Sequence, residues 1–266
     1  MTDHVLLDIR DNVAWVTFNR PEARNAISME MRESLVRIFA DLERDPSVRC
    51  VVMRGAGEAF LAGGDVKAMY EVNRSNTPEE RYKKRIHGMH YTDYRIEALR
   101  RMPKPVIASV HGACAGAGVS LVGASDLAIA AEGTRFTVAF SKIGLSPDGG
   151  SSYFLPRMMG MKHALELTLL SDMFDAAKAK ELGLVNWVVP ADKLAEETEK
   201  LARRLASGAT KAYGNIKRLF NASLNNTLEQ QLRAETQSFA ECSMTEDHVE
   251  GVAAFVEKRK PTFKGR

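Results

Sequence analysis

Apolar residues along the chain switch between two periods. Residues 5–9 and 13–18 are apolar and rich in β-formers, and Arg10-Asp11-Asn12 joins them, which predicts a hairpin closed by Pro21. Ser28 then precedes Met31, Leu35, Ile38 and Leu42 at helical spacing, so a capped helix is expected over 28–45, stopped by Pro46. Residues 48–53 form a short apolar run without alternation, as in a strand buried on both faces, and Gly55-Ala56-Gly57 breaks it. A second helix is predicted over 78–101, with Ile86, Met89, Ile96 and Leu99 as its core stripe. Pro103-Lys104-Pro105 ends it and opens a buried strand at 106–110. A run of small residues from Gly112 to Gly118 leads into a short helix ending near Gly123. Strands follow at 127–131 and 135–138, helices at 161–170 and 176–182, and a strand at 184–189.

From Asp192 to about Phe255 only helical patterns remain. Strands alternating with helices place the chain in the α/β class. The late shift divides it into a core, 1–204, and a helical region, 205–266, whose Leu219, Leu224, Leu228, Leu232 and Phe239 face either the core or a neighbouring subunit. The strand, small-residue turn and helix at 48–65 recur loosely at 106–123.

Composition narrows the function classes. The 266 residues are 45% hydrophobic and 27% charged, as in an ordinary globular protein. A net charge of +3 is too small for a dedicated nucleic-acid binder, and part of it sits in the basic tail after Glu257. Cys50, Cys114 and Cys242 are scattered and odd in number, which suggests reduced thiols. No charged leader precedes an apolar stretch and no apolar run reaches the roughly 18 residues of a membrane span, so the cytoplasm is the expected compartment.

Several sites are excluded by their missing residues. There is no Gly-x-x-x-x-Gly-Lys-Ser/Thr phosphate loop and no Gly-x-Ser-x-Gly elbow. His87 and His90 lack a third ligand nearby, so no metal site is expected. Gly116-Ala117-Gly118 follows a strand and opens a helix, but the third glycine of a dinucleotide fingerprint is missing, since Leu121 stands there. The same turn suits another task. Small residues let backbone approach a ligand, and the helix N-terminus points N–H groups at it. Leu61-Ala62-Gly63-Gly64-Asp65 is a second such turn. Two turns each offering one N–H to one carbonyl oxygen would make an oxyanion hole; tight strand–helix packing selects the same residues.

Here the order of motifs becomes recognisable. Asn19-Arg20-Pro21-Glu22-Ala23-Arg24-Asn25-Ala26, Ala59 to Asp65, His111 to Leu127, Ile143 to Gly150 with Leu155-Pro156-Arg157, and the ending Lys258-Arg259-Lys260-Pro261-x-Phe263 together resemble the crotonase (enoyl-CoA hydratase/isomerase) superfamily across essentially the whole chain. The resemblance implies a spiral of ββα units with a C-terminal helical trimerisation region, assembled as homotrimers or dimers of trimers. It implies an acyl-CoA thioester as substrate, with coenzyme A arriving as part of it, no permanently bound cofactor and no metal. By position, the N–H groups of Ala62 and Ala117 match the two that hold the thioester oxygen. Gly64, Asp65 and Gly116 fall in the same segments, and Arg24, Lys258 and Lys260 are candidates for the coenzyme phosphates.

The departures bear on the reaction. Hydratases of the family carry two glutamates that manage water, and Ser120 and Phe140 stand at those positions. Asp148, in Ser-Pro-Asp-Gly-Gly, matches the place where several isomerases carry an acid. One carboxylate is enough to remove a proton at one carbon and return it at another, and burial beside Phe140 should raise its pKa. Its plain alternative is turn or cap chemistry. Aromatic dehalogenation would pair the aspartate with a histidine and a tryptophan, and Glu97 and Phe140 occupy those places. An acyl-CoA isomerase is thus expected; the alternatives are an enoyl-CoA hydratase using Asp148 and Ser120, and a non-catalytic acyl-CoA-binding subunit. Ser120 either orients a ligand or is merely small at a helix start.

Overall fold

The structure, a computed structural model, describes residues 3–266. The hairpin forms as expected, β1 (Val5–Arg10) against β2 (Val13–Phe18), with Asp11 and Asn12 both at positive φ in its turn. Helix α1 (Met29–Arg44) is capped by Ser28, whose Oγ accepts the Met31 N–H at 3.1 Å.

From there the chain repeats one unit. A long strand is followed by a short one and then a helix: β3 (Cys50–Gly55), β4 (Ala59–Leu61), α2 (Val66–Ser75) and α3 (Pro78–Arg101); β5 (Val106–Val110), β6 (Ala113–Ala115), α4 (Ala117–Ala124); β7 (Leu127–Ala131), β8 (Arg135–Thr137), α5 (Ser151–Leu170). A last turn runs β9 (Phe174–Asp175), α6 (Ala176–Glu181), β10 (Trp187–Val189). Long strands build one sheet in the order β1-β2-β3-β5-β7-β10, and short strands a second, β4-β6-β8-β9. All pairs are parallel except β1 with β2 and β8 with β9. The fold is therefore a mixed α/β spiral of ββα turns.

Both faces of the larger sheet are covered, which explains its unbroken apolar strands. Phe18, Met53, Ala108 and Ala130 pack toward the main core with α1, α3 and α4. Trp15, Val52, Ile107 and Ile129 pack under α7 (Leu194–Ala206) through Leu194, Ala202 and Ala206. Helices α8 (Thr210–Ser223), α9 (Leu228–Ser243) and α10 (Glu246–Val256) complete the chain.

Some expectations need correction. Helix α2 and the short strands β4, β6 and β9 were not expected, whereas β8 falls within the strand expected at 135–138. Helix α5 begins at Ser151 rather than 161, because Pro156 and the non-helical Gly160 (φ 79°) disguise its first half. The last strand shrinks to Trp187–Val189, since the N–H of Leu184 instead closes α6 on Ala179. Of the stripe assigned to α3, Ile96 and Leu99 are buried but Ile86 is exposed.

Candidate active site

Parallel pairing of β4 with β6 and of β6 with β8 brings three strand ends side by side. The turns that leave them, at 62–65, 116–117 and 138–140, are therefore neighbours. Gly116 adopts φ 46°, and a Cβ built there would lie 3.9 Å from the Gly63 Cα and 3.8 Å from the Phe140 ring. Gly118 is required for another reason: a Cβ would meet the Leu61 carbonyl oxygen at 2.5 Å, so only glycine lets α4 start against β4. Ala62, Gly64, Gly116, Ala117, Phe140 and Asp148 all line one cavity of about 470 Å³.

The amide groups of the two turns differ in a way the sequence does not reveal. The Ala62 N–H donates to the Arg24 carbonyl at 3.0 Å, so it is not available to a ligand, and the assignment of Ala62 as a donor is corrected. Gly64, two residues on, lines the cavity, and its N–H makes no hydrogen bond among the described residues. The same holds for Ala117, the first residue of α4, whose N–H lies at the positive end of the helix.

The Asn19–Ala26 segment braces the first turn. The Asn25 side chain donates to the carbonyls of Ala56 and Ala59 at 2.8 and 2.7 Å. Arg20 reaches the Ala26 carbonyl at 2.7 Å and Asp65 Oδ2 at 3.0 Å. Asp65 Oδ1 caps α2 by accepting the Ala68 N–H at 3.0 Å. The carboxylate of Asp65 is thus spent on structure, which corrects its placement among substrate contacts. Ser120 is corrected likewise. It is 1% exposed, and its hydroxyl contacts the carbonyls of Gly116 (3.3 Å) and Asp148 (3.0 Å) and Ser151 Oγ (2.7 Å).

Those contacts hold the Asp148 backbone and leave its carboxylate free. The Asp148 carbonyl also accepts the Ser151 N–H at 3.1 Å. Gly149 and Gly150 continue at φ 58° and 79°, and Gly150, not Asp148, occupies the cap position of α5. Asp148 Oδ1 is buried without a hydrogen-bond partner. Burial pushes the Asp148 pKa up; Arg95 and Arg32 oppose the shift, Asp93 adds to it and Arg85 opposes it.

Those arginines were missed by the sequence reading. Arg81, Arg85, Gly88, Thr92 and Arg95 recur at i, i+4, i+7, i+11 and i+14, one face of α3. A search for apolar stripes passes over such a row, although its spacing marks it. Arg32 of α1 is tied to that face, donating to the Gly88 carbonyl at 2.9 Å and Thr92 Oγ1 at 3.0 Å.

The charged candidates at the chain ends stand apart. Arg24, Lys258 and Lys260 are exposed and are not among the residues lining the cavity. The tail is pinned to its own chain, with Asp247 accepting the N–H groups of Lys264 and Gly265 at 2.6 and 2.8 Å. A larger basic cleft, about 880 Å³, lies by Lys104, Lys217 and Arg101, but its buried cations are matched: Lys217 pairs with Asp126 at 2.7 Å, and Lys104 donates to the carbonyls of Leu42 and Asp45. Among the described residues no cluster of three or more His, Cys, Asp or Glu could hold a metal ion, and no helix is long and apolar enough to cross a membrane.

Two facing amide turns with one unpaired acid in a shared cavity match a known constellation, and comparison with known proteins decides it. The family model for enoyl-CoA hydratase/isomerase matches residues 8–266. The chain belongs to this family. Within it, the chain is 36% identical to the 1,2-epoxyphenylacetyl-CoA isomerase of Escherichia coli K12, over 100% of both chains. It is 32% identical to a short-chain-enoyl-CoA hydratase of Clostridium acetobutylicum, over 99% of each. The crystal structure of an enoyl-CoA hydratase from Polaromonas sp. JS666 superposes with a TM-score of 0.91 at 35% identity, covering 97% of this chain and 99% of that one. Relatives of this enoyl-CoA hydratase/isomerase chain thus carry both reaction names.

Proposed function

We propose that the protein is an acyl-CoA isomerase that moves a double bond in an enoyl thioester or rearranges a ring-derived one. The carrying observation is that, among the described residues, Asp148 is the sole carboxylate lining the cavity, and its carboxylate makes no cap or ion pair. The N–H groups of Gly64 and Ala117 would hold the thioester oxygen. With that carbonyl polarised, Asp148 takes a proton from the α-carbon, and the electron pair moves into the enolate oxygen. The same carboxyl then returns the proton to the γ-carbon, so a 3-enoyl thioester becomes a 2-enoyl thioester with atoms and electrons balanced. Fixed amides need little reorganisation, and each is worth about 10²–10³ in rate.

A hydratase is less well supported, because the Ser120 hydroxyl that would orient water is already committed to Gly116, Asp148 and Ser151. Coenzyme A belongs to the reading as part of the substrate, and no resident cofactor is invoked. The reading includes self-association as a trimer or dimer of trimers, because Phe220, Leu228, Leu232 and Phe239 are exposed on α8 and α9. The decisive assay follows conjugated-enoyl absorbance on a 3-enoyl-CoA and on a 2-enoyl-CoA. Gain of absorbance on the first supports isomerisation. Loss on the second through a 3-hydroxyacyl product, with no gain on the first, overturns it.

A further inference from the structure

The cavity is lined by more positive charge than its own acid balances. Asp148 is faced by Arg32 from α1, by Arg85, Asp93 and Arg95 from α3, and by no charged group of α4. Of the residues lining the cavity, Arg32, Arg85 and Lys142 are cations and Asp148 is the one carboxylate, an excess of two positive charges, while Asp93 is exposed. Among the described residues, none of the three arginines has a carboxylate within 4.0 Å. Arg95 is 1% exposed, and its Nε and Nη1 have no hydrogen-bond partner. Burial pulls its pKa down to about 10; Arg32 adds to the shift, and Asp148 and Asp93 oppose it. Arg85 lines the cavity with its guanidinium free of side-chain partners, and Arg32 lines it beside Asp148.

Burying a guanidinium without a counter-charge costs several kcal/mol. A hydrocarbon acyl chain entering this cavity would increase that cost by excluding water from Arg32 and Arg85. One further carboxylate would remove it, and guanidinium groups suit carboxylates through paired hydrogen bonds. Asp148 must meet the carbons next to the thioester, so charge beside Asp148 addresses the acyl group and not the coenzyme, which leaves from the other side of the thioester. We propose that the acyl group carries a second carboxylate, held by Arg32 and Arg85, which line the cavity: the substrate is a coenzyme A monoester of an unsaturated dicarboxylic acid. This inference rests on the acyl-CoA reading of the same cavity.

The test is calorimetric binding of saturated, unreactive thioesters to the full-length protein. Succinyl-, glutaryl- and adipoyl-CoA are compared with butyryl-, pentanoyl- and hexanoyl-CoA of equal carbon number. At least one diacid ester should bind about tenfold or more tightly than its monoacid partner, the value of one charged hydrogen-bonded contact. Arg85→Gln, at a partly exposed position, should erase the preference, and Arg32→Gln should reduce it. Equal binding of both series, or a preference that survives both substitutions, overturns the proposal while leaving the acyl-CoA reading in place. Failure of every thioester to bind overturns both.

Discussion

Ser120 Oγ donates to the backbone carbonyl of Asp148 at 3.0 Å. It ties the start of α4, which carries the Ala117 amide, to the loop that carries the acid. The two halves of the proposed machinery are thereby held at a fixed separation. Ser120→Ala should loosen the loop without removing a reacting group. We expect about 1–3 kcal/mol of lost stability from the unmet carbonyl and the Ser151 hydroxyl. Turnover should fall less than tenfold by the scale of general acid–base effects. Thermal melts and steady-state rates on the same preparation check both figures.

Asp148 should cost the fold stability at neutral pH. Its folded pKa is raised, chiefly by burial, above the ordinary aspartate value of about 3.9. Between the two values the folded state binds the proton more strongly, so stability falls as pH rises through that window. Asp148→Asn removes the penalty. The variant should melt no lower than the parent at pH 7, and any advantage should vanish as pH approaches 4. Turnover should drop by about 10²–10⁴ while thioester binding persists. A lower melting temperature at pH 7 with no pH trend would contradict the burial argument.

The arginines on α3 oppose that shift, so their removal should be visible in the pH profile. Arg95 is the largest counterweight, ahead of Arg32, while Asp93 acts in the opposite sense and Arg85 assists. Arg95→Gln should raise the Asp148 pKa further and move the acid limb of kcat/KM to higher pH. A structural role alone would lower rates at every pH without moving the limb. The profile measured from pH 4 to 9 distinguishes these.

Phe239 is 76% exposed on α9, and Phe220 is 73% exposed on α8. Side chains of this size left in water signal a partner surface. Phe239→Glu should shift the protein toward monomers in light scattering at micromolar concentration while helicity by circular dichroism stays unchanged. A monomeric parent would remove the assembly from the account.

Much of the frame was legible because burial on both faces writes itself into sequence. Strands β2, β5 and β7 and helix α1 carry unbroken or 3.6-period apolar patterns set by the larger sheet. Of the second sheet only β8 was legible, because strands of two or three residues are defined by pairing with distant neighbours and have no period of their own. The small-residue turns were visible as composition, but which amide is free was not. Ala62 and Gly64 differ only in whether Arg24, far along the backbone path, accepts the N–H. Asp148 was found by its motif, whereas Arg32 and Arg95 belong to different helices and meet only in the fold.

The central claim is that Asp148 moves a proton at the carbon beside a thioester held by the Gly64 and Ala117 amides. Exchange of the α-protons of a 3-enoyl-CoA in deuterium oxide, followed by proton NMR, tests it most directly. The parent enzyme should exchange them at a rate comparable to isomerisation, and Asp148→Asn, with thioester binding intact, should not. Undiminished exchange in that variant would contradict the account.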